Sequence, residues 1–411
     1  MEASTNGLKG PLDGIRVLDW TMWQFGPVST MMLADMGAEV IKVESLDGDH
    51  GRQFGRVGGV KSNLPEGTSA YFEALNRQKS SIALDLKRSK GKEILYQLVR
   101  QSDVFVENFR QGVAERLGAG YEDLKQHNPK IIYGSATGYG PKGPDSGKPA
   151  FALTGEARAG SLWWAGPADG VPYNITGMAD QIAGIMLSYG ILGAIIARDR
   201  YGFGQKVDVS HLGSIMWLGG MRDGIILLTK EEFKREYRTN AGNILWNYYK
   251  CKDGKWIAFS MSQGDRYWPT FCRGLGAPEL VDDERFNTMD LRYENRTELI
   301  AILDSIFIRK NRDEWEKLLT EAGDLIFERV QSTLELPNDP QVRANNYITE
   351  FDHPAIGPSH WLQTPVGYSE TPLSTRKMAP MHGENTDEIL IEMLGYTWDD
   401  IENLKQENVI L

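Results

Sequence analysis

In the stretch TGMADQIAGIMLSYGILGAIIA, from Thr176 to Ala197, a single carboxylate, Asp180, stands at the mouth of an apolar run. Small and hydroxyl residues apart, everything after it has the composition of a buried helix. As a membrane span the run is marginal in length, and Gly, Ser and Tyr interrupt it. A carboxylate at a helix start can cap free backbone N–H groups and complement the helix dipole. Whether it is more than a cap is for the rest of the chain to decide.

Other chemistry is excluded by the residues present. The first turn, DWTMWQFGP, has one glycine and two tryptophans, whereas a dinucleotide fingerprint needs G-x-G-x-x-G so that backbone can approach a pyrophosphate. Glu44 does end the next strand where a ribose-binding acid would lie. No GxxxxGK[ST], GxSxG or HExxH pattern occurs. The six histidines (His50, His127, His211, His353, His360 and His382) lack ligand spacing, as do Cys251 and Cys272, so no metal is expected. A net charge of −11 argues against nucleic acid or an anionic membrane as partner. Two cysteines and a start, MEASTNGLKGPLDG, without a basic-then-apolar signal lead us to expect a cytoplasmic protein.

The elements that must position Asp180 are legible in the alternation of the chain. IRVLDW, VSTMMLADMGA and EVIKVE read as strand, helix and strand. SSIALDL, RSKGKEILYQLVRQ and DVFVEN repeat the pattern, and KIIYGSATGYG adds a strand before the Gly/Pro-rich loop GYGPKGPDSGKPA. Such alternation implies a mostly parallel sheet in an α/β domain. KVDVSHLGSIMWLGG reads as a strand entering another buried helix. From about Asn240 the character changes, with a hairpin NYYKCKDGKWIAFSMS turning at Asp253-Gly254 and amphipathic helices such as RTELIAILDSIFIRK. The tail HGENTDEILIEMLGYTWDDIENLKQENVI is helical and amphipathic.

Six segments in fixed order then carry a resemblance. They are GPLDGIRVLDWTMWQFGPVSTMMLADMGAEVIKVES, NRQKSSIALDLKRSKGKEIL, ENFRQGVAERLGAGYEDL, GYGPKGP, GMADQIAGIMLSYGILGAI and GENTDEILIEMLGYT. Together they resemble the family III CoA-transferases, which include formyl-CoA, carnitine, phenyllactate and benzylsuccinate CoA-transferases, and the related methylacyl-CoA racemases. The resemblance covers nearly the whole chain. It implies a Rossmann-like large domain built from both ends of the chain, a smaller α+β domain between, and an interlocked, ring-like homodimer or heterodimer. The corresponding boundaries here are 1–200 for the first part of the large domain, 201–239 for linker helices, 240–331 for the small domain and 332–411 for the return.

The resemblance also assigns residues. Asp180 falls on the family's catalytic aspartate, which attacks an acyl-CoA to give an aspartyl-acyl anhydride and then an aspartyl-CoA thioester. For CoA, a substrate rather than a tightly bound cofactor, it carries over Gln24, Phe25, Lys79, Asn108, Phe109, Arg110 and Arg116. The cations among these suit the phosphates, and Phe109 suits adenine or the pantetheine arm. Two departures stand out. Met22 and Trp23 precede Gln24 where formyl-CoA transferase has a histidine, and SMSQGDRYW (260–268) replaces a glycine-rich lid, with Gln263, Tyr267 and Trp268 as bulkier covers. A racemase needs a second acid/base group, a histidine after GYGxxGP, but residues 144–160, PDSGKPAFALTGEARAG, hold none and offer only Glu156. A CoA-transferase is therefore expected, with a 2-methylacyl-CoA racemase or one subunit of a heteromeric transferase as the alternatives. Eleven tryptophans, among them Trp23, Trp163, Trp164 and Trp268, suggest an aryl-substituted acceptor acid such as benzylsuccinate or phenyllactate, with succinyl-CoA as donor. A small dicarboxylate and carnitine stay open.

Overall fold

The computed structural model describes residues 10–166, 168–373 and 377–411. The described residues form two compact units, one drawn from residues 10–165, 173–231 and 345–411, the other from residues 166–172 and 232–344. The larger begins with β1 (Arg16–Trp20), α1 (Phe25–Asp35), β2 (Glu39–Glu44) and a short ribbon of β3 (Arg56–Val57) and β4 (Val60–Lys61). Next come α2 (Ala70–Asn76), β5 (Lys79–Ala83), α3 (Ser89–Arg100), β6 (Val104–Glu107), α4 (Val113–Arg116), α5 (Tyr121–His127) and β7 (Ile132–Thr137). The helices α6 (Ala152–Ala159), α7 (Ser161–Trp164) and α8 (Met178–Tyr201), then β8 (Lys206–Ser210) and α9 (His211–Thr229), follow.

Six of these strands form one parallel sheet in the order β5-β2-β1-β6-β7-β8. The chain enters at the centre, winds outward to β5, and returns to β6 on the other side of β1. Loops after β1 and β6 therefore diverge, leaving a crevice at the carboxyl ends of the strands, the usual ligand position in such sheets. Both faces are covered, which is why the strand sequences are apolar runs. Val17 joins Val40, Val104, Leu33 and Leu187 on one face, and Leu18 joins Ile41, Phe105, Ile94 and Leu124 on the other.

By length and composition α8 could cross a bilayer, yet one face of it packs on α1 and another on β7 and β8. Gly184 permits the approach to α1, since a Cβ there would lie 2.6 Å from Val28 Cγ1. Of residues 201–239, expected as linker helices, 201–231 belong to the larger unit and hold β8, the sixth strand, paired from Tyr133↔Lys206 to Thr137↔Ser210, and α9, which packs on α6 and α8. The C-terminal segment returns to the same unit, with the Asp85 N–H donating to Val409 O and the Asn385 N–H to Ser81 O.

The smaller unit is an antiparallel sheet of β9 (Tyr248–Lys250), β10 (Trp256–Phe259) and β11 (Phe327–Val330), the hairpin turning at Asp253-Gly254 as read from the sequence. The helices α10 (Gly264–Leu275), α11 (Met289–Glu294), α12 (Arg296–Phe307) and α13 (Arg312–Ala322) complete it, around a core that includes Tyr249, Phe259, Phe271, Phe307 and Trp315.

Under the crevice lies a buried ionic network. Lys79 Nζ donates to Asp19 Oδ2, Pro27 O and Asn76 Oδ1, and Lys42 Nζ to Thr21 O while pairing with Asp49. Glu44 receives the Arg52 guanidinium and the Ser81 hydroxyl. Burial pushes the Asp19 and Glu44 carboxyls up, but Lys79 and Lys42 on the first, and Arg52 and Lys42 on the second, hold each at about 2. Because their folded values lie below the ordinary 3.8 and 4.5, the stabilisation they lend is complete above those values and lost as pH falls towards 2. Asp19→Asn takes away the carboxylate that keeps Lys79 charged in a sealed site, and should cost about 3–5 kcal/mol at pH 7. Guanidinium unfolding at pH 7 and pH 3 checks both statements, the wild-type advantage over the mutant shrinking at the lower pH.

Candidate active site

Asp180 is the third residue of α8, which opens at Gly177 with no side-chain cap. Its carboxylate caps nothing. Instead Oδ1 lies 2.8 Å from His211 Nε2, and Oδ2 takes part in no hydrogen bond among the described residues. His211 opens α9 directly after β8 and is only 6% exposed, its ring packed against Phe25 at 4.7 Å. Asp180 remains 19% exposed at its side chain and lines a small cavity of about 90 Å³. Glu156, fully buried on α6, accepts from Asn174 Nδ2 at 2.8 Å, while its Oε1 has no hydrogen-bond partner among the described residues. Burial first, and then the charge of Asp180, push its carboxyl up, against the pull of Asn174, of the Ala179 backbone and of His211.

Three strand ends converge on the turn from Thr21 to Gln24. Lys42 from β2 holds Thr21 O, and Asn108 after β6 holds Met22 from both sides, accepting its N–H at 3.0 Å and donating to its carbonyl at 2.6 Å. Asp49 accepts the Trp23 N–H at 3.1 Å. Trp23 is thereby kept at φ 67, a left-handed conformation that is rare for a bulky residue. Its indole meets Phe54 at 5.6 Å and Phe151 at 6.2 Å, and Phe54 meets Tyr71 at 5.1 Å. Tyr71 is partly buried, and burial together with the charge of Asp180 raises its phenol well above the ordinary range. Beside it, a recess of about 330 Å³ is lined by Gln24, Val57, Val60, Lys61, Ala74 and Leu75 among others.

The residues expected at the site divide into two groups. Trp23, Phe25, Asn108, Phe109 and Arg110 line the cavity with Asp180, and Gln24 donates from Nε2 to Gly177 O at the head of α8. Phe109 also lines a larger cavity of about 400 Å³ at the ends of β1, β2 and β5, with Trp20, Leu84, Lys87 and Leu117. Arg116 is exposed at the end of α4, one residue before Leu117. Lys79 is a correction. Its three donors are spent on Asp19, Pro27 and Asn76 in a fully buried site, and burial lowers its pKa to about 8, so it has no donor for a phosphate. Lys87, eight residues on, lies on the wall of the larger cavity.

The tryptophans also divide. Trp268 is 2% exposed in the core of the smaller unit, its indole donating to Leu280 O, so it packs that core and walls no pocket. Gln263 and Tyr267 belong to the same unit, the first exposed and the second under the Arg266 guanidinium at 5.1 Å. Trp163 is exposed on α7, and Trp164 lies under Arg222 at 5.0 Å, so neither lines the cavity of Asp180. His211, Phe151, Phe54 and Lys148 are functional candidates that sequence reasoning missed. Adjacency of His211 to the strand KVDVS was visible, and a strand end on the sheet's crevice side was the signal that could have singled it out.

The family described as CoA-transferase family III matches residues 12–386. The chain is similar to the (R)-2-hydroxy-4-methylpentanoate CoA-transferase of Clostridioides difficile, 31% identical over 404 residues that cover 97% of this chain and 99% of that one. It is also similar to the cinnamoyl-CoA:phenyllactate CoA-transferase of Clostridium sporogenes, 32% identical over 420 residues, 100% of this chain and 99% of that one. Among solved structures, a CAIB/BAIF family protein from Brucella suis matches with a TM-score of 0.84 at 29% identity, covering 94% of this chain and 100% of that one.

The Asn108 clamp gives the site its test. Asn108→Asp keeps the acceptor for the Met22 N–H but sets a carboxylate oxygen against the Met22 carbonyl, at a cost of about 1–3 kcal/mol. Thermal melting should fall accordingly, and amide exchange at Met22 and Trp23 should quicken while that of the β7 amides stays slow.

Proposed function

The chain belongs to the family III CoA-transferases, and we propose that it moves CoA from an acyl-CoA such as succinyl-CoA to a bulky, aryl-substituted carboxylic acid through covalent intermediates on Asp180. One observation carries this reading. The Asp180 carboxylate opens on a cavity, one of its oxygens held by His211 and the other free of hydrogen bonds among the described residues. The free oxygen attacks the thioester, the acyl group passes to the carboxylate, and thiolate leaves without any proton being moved. Each later step exchanges one activated acyl bond for another, so no ATP is consumed and water must be kept away. Trp23, Phe25, Phe109 and Phe151 supply the apolar wall that this demands.

Because Phe109 borders both cavities, an extended thioester can run from Lys87 and Arg116, for its phosphates, along Phe109 to Asp180. The recess beside Tyr71 and Gln24, largely apolar with Lys61 at its edge, supports an arylalkyl or dicarboxylic acceptor. The relative that acts on phenyllactate agrees with that choice. We propose further that the chain works as a homodimer or heterodimer, interlocked as its family implies. Tyr189 on α8 and Trp217, Met221, Leu227 and Leu228 on α9 are exposed in the single chain, an apolar surface that a partner would cover. A cytoplasmic location is supported by two buried, unpaired cysteines.

The neighbourhood of Asp180 also bears on racemisation. The second acid/base group not found between residues 144 and 160 is present as His211, from a different segment. However, His211 and Asp180 share one hydrogen bond and so approach an α-carbon from one side, whereas racemisation needs bases on opposite faces. That supports transfer over racemisation.

Three outcomes test the proposal. Asp180→Ala should abolish transfer among a panel of free acids with succinyl-CoA, and hydroxylamine should label residue 180 of the wild type after incubation with succinyl-CoA alone; transfer within tenfold of wild type in the mutant would remove Asp180 from the mechanism. Lys87→Ala should raise KM for the acyl-CoA about tenfold or more with kcat little changed, a loss of about 1.5–3 kcal/mol for one charge-assisted contact. In D₂O, a 2-methylacyl-CoA should gain negligible deuterium at the α-carbon over many turnovers of transfer.

A further inference from the structure

We infer that His211 is the oxyanion donor of the second half-reaction, in which CoA thiolate attacks the acylated Asp180, and that it thereby decides which carbonyl of the anhydride is attacked. The inference rests on Asp180 being the nucleophile. His211 is fixed on every side. The Ser210 hydroxyl accepts the Gly213 N–H at 3.0 Å, which sets the start of α9, and the ring leans on Phe25. On α6, Gly155 gives it room, since a Cβ there would lie 2.5 Å from His211 Cβ. An ionised carboxylate can only accept, so Nε2 is the donor. Nδ1 is buried and has no hydrogen-bond partner among the described residues.

The consequence follows from the bonds made and broken. In the first step Oδ2, the unbound oxygen, adds to the thioester carbonyl, the C–S bond breaks and CoA leaves as thiolate. Oδ2 becomes the bridging oxygen of a mixed anhydride, and Oδ1 becomes the carbonyl oxygen of its aspartyl half. Thiolate can return to the acyl carbon, which only regenerates the donor, or add to Asp180 Cγ. In the second case the carbonyl electron pair moves onto Oδ1, where Nε2–H already stands at 2.8 Å, within the distance an oxyanion donor requires. Collapse breaks the Cγ–Oδ2 bond, frees the donor carboxylate with Oδ2, and leaves the aspartyl-CoA thioester. No proton changes hands. His211 touches only the aspartyl carbonyl, so it favours the attack that advances the cycle.

Rapid-quench mass spectrometry with succinyl-CoA alone, with and without hydroxylamine, tests this on wild type, His211→Leu and His211→Gln. Free succinyl hydroxamate reports attack at the acyl carbon; hydroxamate or CoA adduct on residue 180 reports attack at Cγ. For His211→Leu we expect total hydroxamate within about threefold of wild type but formation of the CoA adduct slowed about 100-fold, the usual cost of one oxyanion donor. His211→Gln, which can still donate an N–H, should recover most of that loss. Adduct formation in His211→Leu at the wild-type rate would overturn the inference, and so would a parallel loss of adduct and total hydroxamate in both variants, which marks a structural role. No label at residue 180 in the wild type would instead defeat the Asp180 reading itself.

Discussion

The turn after β1 has no helix or strand to satisfy its backbone, yet it lies at the bottom of the crevice with Thr21 buried and Met22, Trp23 and Gln24 half-buried. Each of its polar groups must find a partner on another element, or the crevice cannot be dry. Lys42, Asn108 and Asp49 are those partners, and two of them are ionised groups sealed in the sheet. Burying such charges is costly, and the cost is offset only because each is matched, Lys79 by Asp19 and Lys42 by Asp49. Trp23, Gln24 and Phe25, which wall the site, are positioned by this turn.

Around Asp180 the same tension between charge and burial is resolved differently. The His211 ring holds one carboxylate oxygen, while aromatic rings restrict water. One oxygen is restrained and the other is left free, an asymmetry that a solvated aspartate would lack. Glu156, deeper and nearly out of water on α6, accepts from Asn174 Nδ2 instead. The carboxylate proposed as nucleophile and its buried neighbour thus stand on different elements, distinguished by their exposure.

The two cavities that meet at Phe109 match the two ends of a long thioester. Glu107, at the end of β6, accepts the Phe109 N–H at 2.8 Å and the Ser135 hydroxyl at 2.7 Å, and burial raises its carboxyl to about 7. The loop that carries Asn108, Phe109 and Arg110 is therefore tied to the sheet by a carboxylate that titrates near neutrality. In the proposed reaction, phosphate recognition and acyl transfer would meet on that short segment.

Periodicity alone marked the strands and helices, because apolar residues at the spacing of a strand or a helix must be buried wherever the chain goes. The order of motifs marked the family and Asp180, and the Asp253-Gly254 hairpin was legible because its turn chemistry is local. What the sequence could not reveal depends on pairing between distant segments. Lys79 and Lys87 are both lysines flanking one strand, and only the sheet puts the first inside against Asp19 and the second on a cavity wall. Trp268 reads as a site residue until the packing of α10 turns it into a core. His211 lies 31 residues from Asp180, and no spacing rule joins them. It takes β8 at the edge of the sheet and α9 packed on α8 to bring the two side chains within one hydrogen bond.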